Sequence, residues 1–250
     1  LNIAKHIYKM AENKNNAFLS AMTKKRLLKD VKAILKKPLT AHGIYYIHNE
    51  QNIMQGYAYI LGPSDTLYET GAFFFKFDFP NNYPFSPPKV TFHTNDNIVR
   101  FHPNLYRTGK VCLSILNTWK GEQWTSCQTI KSILLMLVTL FHNKPLLNEP
   151  GFSEKHRSFI PYNNIIRFKN LEISLLRNLN PEKLDANLGH CKVFFHIYKK
   201  YIDDRKTEIL NYIKLLKHTH DKEEIKVNVY NMKCLVDYET LENEFIKTLN

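Results

Sequence analysis

The residues of this chain best suited to chemistry are a cysteine and an asparagine eight positions upstream of it, in the run His102-Pro103-Asn104-Leu105-Tyr106-Arg107-Thr108-Gly109-Lys110-Val111-Cys112-Leu113. A thiol carries enough thiolate at neutral pH to attack an electrophile that is already activated, so exchange with an incoming thioester needs no histidine base. In that chemistry Asn104 supplies the companion N–H donor. The residues alone leave two readings open for Cys112, a nucleophile or a buried inert thiol, because cysteine is among the most often buried residue types.

The flanking segments must position that turn. Residues 1 to 20 hold Ile3, Ile7 and Met10 at faint helical spacing and read as a tail or short helix. Thr23 to Lys37 places Leu27, Leu28, Val31, Ile34 and Leu35 at three-four spacing, opposes them with lysines, and stops at Pro38. Between Gly43 and Phe92 the period becomes two, predicting strands over 43–49, 54–60, 72–79 and 89–92. Their short separators imply an antiparallel meander. The proline-rich segment 80–88 is expected to be an extended loop with Phe85 in it. After the Cys112 turn, a helix is expected from near Gln128 to Phe141, with Cys127 as a small buried residue at its start. Residues 153 to 250 read as successive helices over 153–179 with a break at Pro161, 184–216 with a Leu210, Ile213, Leu216 stripe, and 221–249. Within the last, 225–235 is ambiguous between helix and strand because of its β-branched residues.

At 250 residues, with 44% apolar and 23% charged residues, the chain is expected to fold around a full core. The net charge of +12 is uneven: residues 1–152 carry 18 Lys/Arg against 9 Asp/Glu, and residues 153–250 carry 17 against 14. The basic surplus would steer acidic partners. No base-reading or stacking pattern accompanies it, so nucleic acid is not an expected partner. Cys112, Cys127, Cys191 and Cys234 are too widely spaced for a disulfide framework, which suits a reducing compartment. No run is long enough to span a bilayer, and an intracellular protein, cytoplasmic or nuclear, is expected. The chain begins at Leu1, so further residues upstream are expected.

The run from Phe79 to Cys112 resembles the core of ubiquitin-conjugating enzymes, the E2 or UBC family. The resemblance rests on Phe79-Pro80, Tyr83-Pro84-Phe85, Pro87-Pro88-Lys89-Val90, His102-Pro103-Asn104, Gly109 and Val111-Cys112-Leu113. It extends back over Gly62-Pro63, Tyr68 and Gly71 to the basic helix, and forward over Trp119 and Trp124 to the following helix, covering residues 21 to 152. Tyr106-Arg107, Ser114-Ile115-Leu116 and Asn148-Glu149-Pro150-Gly151-Phe152 are most similar to the large extended E2 group, especially the type charged by an alternative activating enzyme.

The resemblance implies an α+β UBC fold over 21–152 and a helical C-terminal extension over 153–250 packed on that core. It implies that Cys112 accepts ubiquitin as a thioester from an activating enzyme and passes it to a lysine amine or a ligase cysteine. A noncatalytic UBC-like scaffold is the alternative, against which the presence of both Cys112 and Asn104 argues. By the same resemblance Asn104 either holds the active-site loop or stabilises an oxyanion, and His102 and Pro103 support the turn. Ser114 is a polar rim or modification site. Glu149 orients and deprotonates the attacking lysine, or else merely caps a loop. Lys24, Lys25, Lys29 and Lys32 would dock the activating enzyme, and Phe85, Thr125 and Ser126 a RING or HECT ligase. Thr125-Ser126-Cys127 departs from the common Ser-Pro-Ala, which puts ordinary RING pairing in doubt. The expected partners are ubiquitin or a similar modifier, its activating enzyme, a ligase and protein substrates. No cofactor is implied, since ATP is used by the activating enzyme. No metal is implied either, since His102, Cys112 and Cys127 lack a correctly spaced fourth ligand.

Overall fold

A computed structural model describes residues 20–180, 192–220 and 222–249. The expected N-terminal tail and the first residues of the helix expected from Leu184 lie outside the described residues. Contacts divide the chain into two compact units. One holds the described residues up to Ile60 with Phe74–His93 and Gly109–Leu140; the other holds Leu61–Phe73, Thr94–Thr108 and the described residues from Phe141 on.

In the first unit, α1 spans Ala21–Lys36 and starts where the Ser20 hydroxyl accepts the Thr23 N–H at 3.1 Å, satisfying one of the orphan donors of the first turn. Leu27, Val31 and Ile34 are buried, as the three-four spacing requires, while Lys25, Lys29 and Lys32 are exposed. The one acid of the helix, Asp30, is buried. It accepts hydrogen bonds from the Tyr83 hydroxyl at 2.5 Å and from Arg26 Nε at 3.0 Å, the pairing a buried carboxylate needs. Burial, and then the neighbouring Asp30 charge, push the Tyr83 phenol well above its ordinary pKa, so it remains a donor.

The sheet is the expected meander, in the order β1 (Ile44–His48), β2 (Gln55–Leu61), β3 (Ala72–Asp78), β4 (Lys89–Phe92). β1 pairs antiparallel with β2, Ile44 opposite Ile60, and β3 with β4, Phe75 opposite Phe92. β1 alternates buried and half-buried residues, whereas Gly56 to Ile60 in β2 are buried in succession, so that strand is covered on both faces. The proline-rich segment is not extended over residues 80–85. Tyr83 N–H donates to the Pro80 carbonyl and Phe85 N–H to the Asn82 carbonyl, making two successive turns that leave Phe85 61% exposed. α2 spans Ile130–Val138, shorter than expected, because a reciprocal Thr129–Ser132 capping box sets its start. Cys127 consequently lies ahead of the helix in an exposed turn closed by the Gln128 N–H to the Thr125 carbonyl, and is not the buried helix-start residue expected.

In the second unit, α3 (Phe159–Lys169) runs on as a π-helical turn over Asn170–Leu176 and a 3₁₀ turn over Arg177–Leu179. Pro161 does not break it. It occupies the first turn, where its missing N–H would have had no intrahelical partner. The wider π turn and the 3₁₀ turn after it present buried Asn170 and Ser174, then Asn178, to the segment 69–72. Asn170 Nδ2 donates to the Glu69 carbonyl at 2.8 Å and Asn178 Nδ2 to the Ala72 carbonyl at 2.8 Å. Any Cβ at residue 71 would meet Asn170 Oδ1 at 2.0 Å, so the approach requires glycine there.

Helix α4 (Lys192–Thr219) adds the buried Tyr198 hydroxyl, which donates to the Thr70 carbonyl at 2.8 Å. Its buried stripe runs through Ile202, Ile209, Ile213 and Leu216, so Ile209 takes the place expected of Leu210, which is half-buried. The ambiguous stretch is an antiparallel hairpin, β5 (Glu223–Val227) paired with β6 (Met232–Val236), followed by α5 (Tyr238–Leu249). Ile225, Val227, Met232, Cys234 and Val236 are buried and alternate with exposed Lys226, Lys233 and Leu235, a period of two that a continuous helix could not present to one face. Among the described residues no helix is long and apolar enough to cross a membrane.

Candidate functional site

The candidate residues fall in both units. In the first, Cys112 is 2% exposed, and the backbone on each side of it is braced by one side chain that sequence reasoning missed. The Thr118 hydroxyl accepts the Leu113 N–H at 2.9 Å and lies 3.0 and 3.1 Å from the Val111 and Leu113 carbonyls, to which it donates. Phe92 N–H donates to the Gly109 carbonyl at 2.7 Å and anchors the run to β4. Half-buried Ser114 opens a short 3₁₀ turn ended by Asn117, whose φ of 57° is left-handed and whose Oδ1 accepts the Trp124 N–H at 2.8 Å. The loop between them passes Ser114 so closely that a Cβ at Gly121, where φ is 129°, would meet Ser114 Cβ at 3.1 Å.

The same unit carries the candidate docking residues. Lys25, Lys29 and Lys32 line one exposed side of α1, with Lys24 half-buried beside them. Arg26 of the same helix donates to the carbonyls of Ser126 and Gln128, tying the exposed Thr125-Ser126 turn to α1. Phe85 stands on a segment pinned by the Trp124 Nε1–H, which donates to the Pro84 carbonyl at 2.6 Å.

In the second unit, His102 is fully buried and closes the turn. Its Nδ1 accepts the Asn104 N–H at 3.0 Å while its carbonyl accepts the Leu105 N–H at 2.9 Å. An accepting Nδ1 puts the ring proton on Nε2. Burial, then the neighbouring charges of His142 and Arg100, hold the imidazole well below its ordinary pKa, so the ring is neutral. A buried neutral histidine with one nitrogen committed to the backbone is a structural tie. Its depressed pKa also makes the fold pH-sensitive. Below the unfolded value of 6.5 the unfolded chain binds a proton that the folded chain refuses, so stability is fully present above that pH and is lost as the pH falls. The loss attributable to this group approaches about 1.4 kcal/mol per pH unit below 6.5. Denaturant melts at pH 7.5 and 5.5 are therefore expected to differ less for His102→Asn, which keeps an acceptor for Asn104 but does not titrate; an unchanged difference would clear His102.

Asn104 is 7% exposed at the end of this turn, and Pro103 is buried. The Pro103 carbonyl accepts from Arg100, whose guanidinium is sandwiched between the rings of Tyr106 at 3.7 Å and Tyr230 at 4.1 Å. Arg107 donates to the carbonyls of Tyr230 and Asn231. Glu149 follows the 3₁₀ turn Pro145–Asn148, is half-buried, and accepts on Oε2 a hydrogen bond from the Tyr230 hydroxyl. One hairpin tip thus contacts both the arginines that flank the His-Pro-Asn turn and Glu149. No periodicity or motif in the sequence pointed to Arg100 or Tyr230, and Arg107 entered only through the Tyr106-Arg107 resemblance, with no contact assigned to it.

A family model described as "Ubiquitin-conjugating enzyme" matches residues 26–159, more than half of the chain and inclusive of all of these candidates but Lys24, Lys25 and Tyr230. The chain is 40% identical over 199 residues to the ubiquitin-conjugating enzyme E2 Z of Danio rerio, covering 72% of this chain and 60% of that protein. It is 39% identical over 157 residues to the E2 Z of Xenopus tropicalis, covering 62% and 50%. With the protein named dual E2 ubiquitin-conjugating enzyme/E3 ubiquitin-protein ligase BIRC6 of Mus musculus it shares 33% identity over 214 residues, which cover 79% of this chain and 4% of that protein. The chain therefore spans only part of the length of the curated relatives it matches.

Proposed function

Because the chain belongs to the ubiquitin-conjugating enzyme family, we propose that it carries ubiquitin or a similar modifier as a thioester on Cys112. The observation that carries this reading is the His102-Pro103-Asn104 turn followed at Cys112 by a thiol, inside the matched segment. The Cys112 thiolate attacks the carbonyl carbon of the activating enzyme's thioester. A new C–S bond forms, the old one breaks, and the departing thiolate takes up a proton. Exchange between thiols is nearly isoenergetic, so the protein's task is to position the partners.

In the second step a substrate lysine amine attacks the Cys112 thioester. Glu149 accepts the amine proton and Cys112 leaves as thiolate. Asn104 has two amide N–H donors, which suit either holding the loop or meeting the oxyanion. His102 contributes through the turn, since its Nδ1 is committed to the Asn104 N–H. The exposed lysines of α1 support docking of an acidic face on the activating enzyme. Exposed Phe85 and the Thr125-Ser126 turn support contact with a ligase. Incubating the chain with ATP, a modifier and each of a panel of activating enzymes is expected to give a reductant-sensitive adduct with at least one pairing. Failure of every pairing would leave the noncatalytic scaffold as the better reading.

A further inference from the structure

The tip of the β5–β6 hairpin is built at a cost. Tyr230 adopts φ 60° and ψ 11°, and Asn231 φ 47°, so two successive side-chain-bearing residues sit in the left-handed region. For a residue as bulky as tyrosine that conformation is strained, and it persists where surrounding contacts hold it. Here those contacts are specific. The Tyr230 carbonyl accepts from Arg107, its ring lies against the Arg100 guanidinium, and its hydroxyl donates to Glu149 Oε2. Behind it, the Arg100 N–H lies 3.3 Å from Met232 Sδ on β6, and the buried Tyr162 hydroxyl donates to the Arg100 carbonyl at 2.8 Å. The tip is therefore held by several contacts at once, and the hydroxyl of Tyr230 is given to Glu149.

A glutamate at the end of a turn has three side-chain torsions to fix before its carboxylate can meet an amine. A phenol that donates to one carboxylate oxygen fixes them and leaves the other oxygen for the amine proton. Burial, followed by the hydrogen bond to Glu149, pushes the Tyr230 phenol well above its ordinary pKa, so it stays a donor throughout the working pH range.

We propose that Tyr230 is a positioning residue for Glu149, and that the C-terminal hairpin thereby serves the discharge of the modifier to an amine. This rests on the reading of Glu149 as the group that receives the lysine proton.

The test is single-turnover discharge of the charged full chain onto free lysine, measured apart from the charging step, for wild type, Tyr230→Phe, Glu149→Ala and the double variant. Tyr230→Phe keeps the ring against Arg100 and removes only the hydroxyl. Glu149→Ala is expected to slow discharge by about a hundredfold, the low end of what a positioned proton acceptor supplies. Tyr230→Phe is expected to slow it by about fivefold, the worth of one ordinary hydrogen bond. The double variant should be no slower than Glu149→Ala, because the phenol then has nothing left to position.

If Tyr230→Phe slows discharge equally with and without Glu149, or does not slow it in the wild type while Glu149→Ala does, the positioning role is overturned and the Glu149 reading stands. If Glu149→Ala discharges normally, or no variant can be charged, that reading fails and takes the inference with it. A fall in charging of Tyr230→Phe as large as its fall in discharge would mark the residue as structural and also overturn the proposal.

Discussion

Replacing Cys112 with alanine is expected to abolish the reductant-sensitive adduct, and replacing it with serine to convert that adduct into one that resists reductant and is cleaved by hydroxide. The second outcome is the more informative, because an oxyester forms only if residue 112 is where the carbonyl carbon arrives. Competing thiols have to be eliminated. Cys127 is exposed in its turn and more accessible than Cys112, which is 2% exposed, so accessibility alone favours Cys127. Cys234 is buried, and burial pushes its thiol up to about 11, leaving it almost wholly protonated at neutral pH. Charging should therefore survive Cys127→Ser and Cys191→Ser and fail in Cys112→Ala. Gel mobility with and without reductant reads each result directly. An adduct that persists in Cys112→Ala and vanishes in Cys127→Ser would sink the assignment.

A chain ending at residue 152 is expected to lose the native structure of the 61–73 and 94–108 segments. Within their unit, those segments are held largely from beyond residue 152. The Glu69, Thr70, Ala72 and Arg100 carbonyls accept from Asn170, Tyr198, Asn178 and Tyr162 respectively, all buried side chains. Each such bond is worth about 1 kcal/mol net, and about 1–3 kcal/mol when a buried group is stranded without its partner. Burial of Ile165, Ile166, Leu171, Leu175 and Ile213 is lost with them, at about 1.5–3 kcal/mol per side chain. Even before the conformational entropy of residues 153–250 is set against it, that loss is comparable to the whole of the roughly 5–15 kcal/mol by which a domain is normally stable. Hydrogen exchange at the Gly71 and Leu105 amides, which are bonded to the Tyr68 and His102 carbonyls, should rise from protected to unprotected. Retained protection at both amides in the fragment would show that residues 153–250 are dispensable there. His102-Pro103-Asn104 lies in one of these segments, so the fragment is expected to be a poor conjugating enzyme even if Cys112 keeps its surroundings.

Much of the architecture was legible because it is locally encoded. The strand spans come within a residue or two of those expected, since alternation and turn residues act over four to eight positions. α1 follows from a three-four stripe between Ser20 and Pro38. Errors arose where a local signal had two meanings. Pro80 and Pro84 suit extended chain but belong to the two turns over 80–85, and Pro161 suits a helix break but sits in a first turn, where its missing donor costs nothing. The Ile225-Lys226-Val227 and Met232-Lys233-Cys234 alternation was present in the sequence, and its β-branched residues are what made the stretch ambiguous.

The amino-acid order was enough to single out a thiol, an amide and a carboxylate, and to assign the family, because motif spacing along one run carries that information. It could not single out the groups that hold them. Thr118 acts on both neighbours of Cys112 through a loop. Arg100 acts on Pro103, and Tyr230 on Glu149 across 81 positions of chain. Such pairings follow no helical or strand period, since they depend on which surfaces folding brings within hydrogen-bond reach. The neutral state of His102 has the same origin, because burial and the approach of His142 and Arg100 arise only once the chain has folded.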